Sequence, residues 1–329
     1  MVSILLAAYN GERHIARQLD SLLAQKERDF RIFIRDDRSS DATFRIAREY
    51  AANNPERIFA VQNDVNSGGS RQNFLRMIAE YRDDYLMLCD QDDVWLPEKI
   101  GTELAKMREM ECRHGKDTPL LVHSGLRVVD ERLTLVSPGR GGATLARQLN
   151  IDPEKTALHE LLVQNVLTGC TILYNRALAE LVAAGVAAGG RQPETADKAA
   201  NDAIIMHDWW LGLVASAFGR IAYIREPLIL YRQHAQNAVG SKNTRSLRYI
   251  AARLLNSRES REVVRQTYRQ AEYFLRVYQD RLSPEQTRLV RAYAAIPNIR
   301  GKIGRIRAAC ALRTLKHGAA RRLAHLFFL

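Results

Sequence analysis

Between residues 1 and 95 the chain alternates short apolar runs with segments of helical spacing, and that alternation most narrows what it can fold into. Val2–Ala8 is a β-rich run closed by the turn signal Tyr9-Asn10-Gly11, after which Ile15, Leu19, Leu22 and Leu23 recur at helical spacing. Arg31–Arg35 is a second run, ending at Asp36-Asp37, and Phe44, Ile46, Ala47 and Tyr50 mark the helix that follows. Ile58–Val61 and Tyr85–Cys89 complete the set, with Asn66-Ser67-Gly68-Gly69-Ser70 and a helix carrying Phe74, Met77 and Ile78 between them. Strands and helices of this length, taken in turn, predict an α/β fold on a mostly parallel sheet flanked by helices. In such sheets ligands meet the carboxyl ends of the strands. The polar clusters after all four runs fall at those ends.

The fourth run ends abruptly in Asp90-Gln91-Asp92-Asp93. Three carboxylates this close repel one another unless something positive neutralises them. A divalent ion carrying a diphosphate does so, because hard cations take carboxylate and phosphate oxygens together. The plainer alternative is a solvated acidic loop that caps the next helix, with Asp93 as the cap ahead of Pro97.

Taken in order, Ala8-Tyr9-Asn10-Gly11, Asp36-Asp37-Arg38-Ser39-Ser40-Asp41, Asn66-Ser67-Gly68-Gly69 and Cys89-Asp90-Gln91-Asp92-Asp93-Val94-Trp95-Leu96-Pro97-Glu98-Lys99 resemble the successive motifs of family 2 glycosyltransferases. Further on, Met206-His207-Asp208-Trp209-Trp210-Leu211 and Ile229-Leu230-Tyr231-Arg232-Gln233-His234 are similar to the second half of the bacterial rhamnosyltransferase-like branch. The resemblance runs from Met1 to about Gly240. It implies the Rossmann-like GT-A fold and inverting, metal-dependent transfer of a sugar, L-rhamnose first, from a dTDP- or UDP-sugar. The implied acceptor is a saccharide or lipid-linked saccharide in cell-surface polysaccharide biosynthesis. The Gln-x-x-Arg-Trp motif and membrane helices of the processive synthases are missing, which implies a single addition.

Roles follow residue by residue from that resemblance. Asp37 accepts the imide N3–H of a pyrimidine base, a donor that suits a carboxylate; Asp41 is the better helix cap. Ala8, Tyr9, Asn10, Asn66 and Gly68 line the nucleotide, and Arg71 offers charge to the diphosphate. Asp90 and Gln91 contact the nucleotide sugar, Asp92 is a direct ligand of Mg²⁺ or Mn²⁺, and His234 completes the metal site. Arg232 contacts the diphosphate or pairs with an acidic residue of the body. Thr168, Gly169 and Cys170 line the donor-sugar and acceptor pocket with His207 and Trp209. Asp208 is the general base toward the acceptor hydroxyl, with a helix cap as the plainer reading. Gly189–Asn201 reads as a mobile loop ahead of it.

Charge divides the chain. Residues 240–329 hold 20 Lys and Arg against 5 Asp and Glu, a net of +15, which leaves 29 against 32, a net of −3, before them. The reading is a 1–239 GT-A domain followed by a basic helical extension over 240–329. Leu247–Leu255, Glu262–Tyr278 and the stretch from Ile299 show helical periodicity, and the basic, Leu/Phe-bearing end predicts contact with an anionic membrane surface. A docked helical subdomain with solvated charges is the alternative. The four cysteines (Cys89, Cys112, Cys170, Cys310) lack CxxC or Cys/His pairing, which argues against a zinc site or disulfide framework and for a reducing compartment. With no basic leader and no apolar run of membrane-spanning length, the expected location is cytoplasmic, peripheral on the inner face of the membrane. A nucleotidyltransferase and a non-catalytic membrane- or nucleic-acid-binding protein on the same sheet stay open; no nucleic-acid motif appears.

Overall fold

The computed structural model describes residues 1–136, 144, 146, 151–187, 203–233 and 257–329. Its contacts gather the chain into two compact units that alternate along the sequence. The first takes Met1–Leu145, Leu167–Ala183 and Arg220–Ser241; the second takes Ala146–Val166, Ala184–Gly219 and Lys242–Leu329. The basic C-terminal stretch is thus grouped with two earlier segments.

The first unit opens with β1 (Val2–Ala8), α1 (Ile15–Leu23), β2 (Phe30–Asp36), α2 (Thr43–Asn53), β3 (Ile58–Gln62), α3 (Ser70–Glu80) and β4 (Tyr85–Asp90). It continues through β5 (Val94–Trp95), α4 (Lys99–His114), β6 (Leu120–Val129), β7 (Ile172–Asn175), α5 (Arg176–Ala187, whose end passes into the second unit) and β8 (Arg220–Arg232). The strands form one sheet in the order β3-β2-β1-β4-β7-β6-β8-β5. β1 lies inside it and all seven of its residues are buried, as its unbroken apolar run requires. The pairs β1–β2, β1–β4, β2–β3 and β6–β8 are parallel, whereas β7 joins β4 and β6 antiparallel, and β5 joins β8 antiparallel. The parallel half is the part whose period was legible; β7 and β5 are too short to announce themselves.

Strand order forces the sheet to curl. β5 begins four residues after β4 ends, yet three strands lie between them in the sheet. In a flat sheet that gap would be about 19 Å, while four residues reach about 14 Å at most. Curling is eased where β6 meets β8, whose register shifts around Gly125. A Cβ on Gly125 would sit 2.9 Å from the Arg225 carbonyl oxygen, and Pro227 is tolerated opposite it because the ladder is already interrupted.

The second unit is helical: α6 (His207–Phe218), α7 (Ser257–Tyr278), α8 (Pro284–Ala294), α9 (Lys302–Ala311) and α10 (Ala319–Phe328). Its core is aromatic. The Trp210 ring lies 5.4, 5.5 and 5.9 Å from those of Tyr273, Phe274 and Tyr278. Polar ties add direction, with Tyr273 donating to the Gly185 carbonyl at 3.0 Å and Gln286 Nε2 to the Ala217 carbonyl at 2.6 Å. α8 starts in a capping box formed by Ser283 and Gln286. No described helix is long and apolar enough to cross a membrane. Leu247–Leu255 and Gly189–Asn201, singled out in the sequence, lie outside the described residues.

Candidate active site

Register brings the strand tips of the first unit together. Ala8 pairs with Asp36, Ala7 with Asp90, and Asp36 with Gln62. The loops that leave these tips therefore start side by side, and hydrogen bonds between side chain and backbone fix each to the next.

The loop after β1 turns at Asn10, whose positive φ of 46° suits its short amide side chain. Asn10 N donates to Ser39 Oγ at 2.9 Å, and its Oδ1 accepts from Ser40 N at 2.9 Å, which joins the first loop to the second. Tyr9 stays half exposed. Gln91 Oε1 accepts from Tyr9 N and Gln91 Nε2 donates to the Tyr9 carbonyl, both at 2.8 Å. A Cβ on Gly11 would fall 2.2 Å from Gln91 Oε1, so this close approach needs glycine.

The two aspartates after β2 divide their work. Asp36 organises its own turn, accepting from Ser39 N at 2.9 Å and Gln62 Nε2 at 2.8 Å. Asp37 is 1% exposed; its N donates to the Ala8 carbonyl, and its Oδ1 accepts from Asn63 Nδ2 and Ser67 N, each at 2.7 Å. Its Oδ2 accepts from Ser67 Oγ at 2.8 Å. Asn66 Nδ2 donates to the Asp37 carbonyl at 2.8 Å while its Oδ1 accepts from Gly68 N at 2.9 Å. Gly68 and Gly69 take φ of 99° and 136°, conformations open to glycine, before α3 starts with Ser70 and the half-buried Arg71. Asp41 does not take the cap expected of it, since the N-cap of α2 is Ala42 with no side-chain cap; it accepts from Thr43 N at 2.9 Å one residue earlier. Although burial raises its carboxyl, bonds from Thr43 and the Glu12 backbone hold it below the usual range.

The acidic tip differs from expectation in one respect. Asp93 does not cap α4: that helix begins after Glu98 with no side-chain cap. Instead Asp93 is fully buried, and its Oδ1 accepts from Arg232 N at 3.1 Å. Its Oδ2 has no conventional hydrogen-bond donor, and the Cys170 thiol lies beside the carboxylate. Burial, then the charges of Asp92 and Asp90, push the Asp93 carboxyl well above the usual range. Burial, then Asp93 and Asp90, raise the Cys170 thiol likewise, which disfavours the thiolate. Among the described residues, the group whose ligand atoms converge within 4.8 Å is Asp90, Asp93 and Cys170. Two carboxylates whose oxygens converge this closely form a donor set that fits a divalent cation. Asp92 is half-buried and stands outside that trio, and His234 lies outside the described residues.

Arg232 serves the tip from β8. Nε donates to the Asp92 carbonyl at 2.7 Å and Nη1 to the Glu131 carbonyl at 2.5 Å. Both of these bonds go to backbone carbonyls and not to a carboxylate. Gly169–Thr171 form the 3₁₀ turn before β7, with Thr168 at its N-cap and Cys170 inside it; the Thr168 carbonyl accepts from Thr171 N and Oγ1 at 2.9 and 2.7 Å. Beneath the tip, Lys99 is wholly buried; Nζ donates to Glu103 Oε1 at 2.6 Å and lies 4.4 Å from the Trp95 ring centroid. Ser124 Oγ donates to the same Glu103 oxygen at 2.7 Å. The i,i+4 spacing of Lys99 and Glu103 was readable, but nothing in the sequence announced that the pair is buried.

In the second unit Asp208 is 7% exposed, in the first turn of α6. The N-cap there is Met206, so Asp208 does not occupy that position. Its Oδ1 accepts from Asn165 Nδ2 at 3.0 Å and from Trp209 N at 2.6 Å. Trp209 Nε1 donates to the Leu161 carbonyl at 2.6 Å. Burial depresses His207 to about 3, which keeps its imidazole neutral. Asn165 carried no signal in the sequence, standing far from Asp208 in a segment without a motif.

An α/β unit whose strand-tip loops are joined by hydrogen bonds agrees with the resemblance to glycosyltransferases. Residues 3–113 match the model of Glycosyl transferase family 2. That segment is a family 2 glycosyltransferase domain, the chain is a glycosyltransferase, and its fold is GT-A. It is 28% identical to dTDP-rhamnosyl transferase RfbG of Shigella flexneri over 265 residues, 79% of this chain and 82% of that protein. It is 30% identical over 235 residues to an uncharacterized protein of Mycobacterium tuberculosis, covering 71% of this chain but 59% of that longer protein. In fold it is similar to S. aureus TarS residues 1–349 in complex with UDP-GlcNAc, with a TM-score of 0.52 at 17% identity over 98% of this chain and 86% of that one.

Proposed function

We propose that the enzyme moves L-rhamnose from a dTDP-sugar, with UDP-sugars as the next candidates, to a saccharide or lipid-linked saccharide in cell-surface polysaccharide assembly. The observation that carries this is the joined set of loops at one sheet edge, where Ala8–Asn10, Asp37, Asn66–Gly68 and Asp90–Asp92 are fixed to one another by side-chain hydrogen bonds. Likeness to a dTDP-rhamnosyl transferase over most of both chains supports the choice of donor.

Asp37 reads the imide N3–H of the base through the lone pair that Ser67 leaves on Oδ2. Tyr9 and Asn10 flank the ribose, and Arg71 faces the diphosphate. Asp92, with His234, would hold Mg²⁺ or Mn²⁺, and that ion would supply positive charge to the departing nucleoside diphosphate, while Asp90 contacts the ribose or a metal-bound water. Asp208 removes the acceptor hydroxyl proton as that oxygen bonds to the anomeric carbon, inverting it. The work is done at the inner face of the cytoplasmic membrane.

Incubation with dTDP- and UDP-sugars, a saccharide acceptor and Mg²⁺ or Mn²⁺ tests this by release of free nucleoside diphosphate. dTDP-rhamnose is expected to lead the panel, and Asp92→Ala to abolish the metal-stimulated part. Equal release by Asp92→Ala, or turnover confined to purine-nucleotide donors, rejects the reading.

A further inference from the structure

The last two helices present an apolar surface in a field of positive charge. Residues 299–329 contain eight Lys and Arg and no Asp or Glu. On α9 and α10, Ile303 and Leu323 are each 69% exposed and Phe327 is 51% exposed. Leu323 and Phe327 are four residues apart and share one side of α10. Lys302 Nζ sits 4.6 Å from the Phe327 ring centroid, which brings the start of α9, where Ile303 is exposed, to the end of α10. Around these apolar side chains stand the exposed Arg300, Lys302, Arg307 and Arg322.

We propose that this face of α9 and α10 docks on an anionic lipid leaflet, with Ile303, Leu323 and Phe327 entering the headgroup layer and the four cations meeting lipid phosphates. It deepens the membrane partner put forward above and rests on that reading. A nucleic acid would complement the charge but gain nothing from two aliphatic side chains and a phenyl ring held in water. A lipid surface accepts both, since apolar burial and charge attraction add. Lys302 suits such a boundary, being exposed with its ammonium over the Phe327 ring, where it joins the apolar patch to the lipid phosphates.

The test is flotation of the full chain on vesicles of equimolar phosphatidylglycerol and phosphatidylcholine, without substrates, against vesicles of phosphatidylcholine alone. Wild type is expected to float with the anionic vesicles and to be released by salt. Leu323→Ser with Phe327→Ser, and separately Arg300→Glu with Arg307→Glu, are expected to lower the bound fraction about tenfold or more. Release of nucleoside diphosphate with a soluble acceptor is expected to be unchanged in both. If wild type fails to float, the membrane reading itself falls. If wild type floats and both variants float equally, the membrane reading stands and this face is not the contact. Equal binding to neutral vesicles, or retention of duplex DNA that the Arg variants alone lose, also overturns the proposal.

Discussion

The side-chain amide of Gln91 closes a ring with the backbone of Tyr9, accepting from its N–H and donating to its carbonyl at 2.8 Å each. That pair ties the tip of β1 to the tip of β4 across 82 residues of sequence, and so sets how far the Tyr9 loop stands from the carboxylates. Gln91→Ala removes both bonds and should raise the donor KM several-fold while costing about 1–2 kcal/mol of stability. Gln91→Glu keeps the shape but places a carboxylate against the Tyr9 carbonyl, and should be at least as damaging. Gly11→Ala, which pushes into the same amide, should resemble Gln91→Ala. Steady-state kinetics with varied donor, alongside denaturant unfolding, checks all three; an unchanged KM in Gln91→Ala would show that the clasp positions nothing.

Lys99 and Glu103 are both fully buried and bonded at 2.6 Å. Breaking such a pair leaves an uncompensated charge, so Lys99→Met alone should cost about 3–5 kcal/mol. Lys99→Met with Glu103→Leu should recover most of that, less the bond from Ser124. Urea unfolding midpoints of the two single variants and the double variant give the coupling directly.

Acid sensitivity should come in part from His325. Burial depresses it to about 3, with Lys316 acting in the same direction, and neither ring nitrogen has a hydrogen-bond partner. The folded protein keeps this imidazole neutral while the unfolded chain protonates it below about 6.5. Stability is therefore full above that pH and falls as the pH drops toward 3, by up to about 1.4 kcal/mol per pH unit for this group. His325→Leu should flatten that limb without destabilising the protein at neutral pH. His207, depressed to about 3 as well, leaves a residual slope. Unfolding free energies at a series of pH values between 7 and 4 check it.

Asp208→Asn should lower kcat by about 10²–10⁴ with little change in donor KM, the signature of a lost proton acceptor. Asn165→Ala should act more mildly through the same carboxylate, since its amide donates to Asp208 Oδ1. Its mark is a shifted pH–rate profile. Normal turnover by Asp208→Asn would remove it from the base role.

What the sequence made legible was periodic or local. β1, α1 and the tips of β2 and β4 could be placed because apolar runs, turn residues and helical spacing lie within a few positions of one another. Pairings at long range left no such trace. Asp93 looked like a helix cap because Pro97 follows it, and only the curl of the sheet brings Arg232 and Cys170 to its carboxylate. Asn165 near Asp208, and Asn63 and Ser67 around Asp37, were invisible for the same reason.

The aromatic packing around Trp210 bears on how the molecule is made. Tyr273, Phe274 and Tyr278, which pack around that indole, are synthesised more than sixty residues after it. Until they emerge from the ribosome, α6 must wait with its apolar side bare, prone to chaperones and to association with other nascent chains. Premature termination upstream of α7 would therefore yield an insoluble fragment, not a smaller working enzyme.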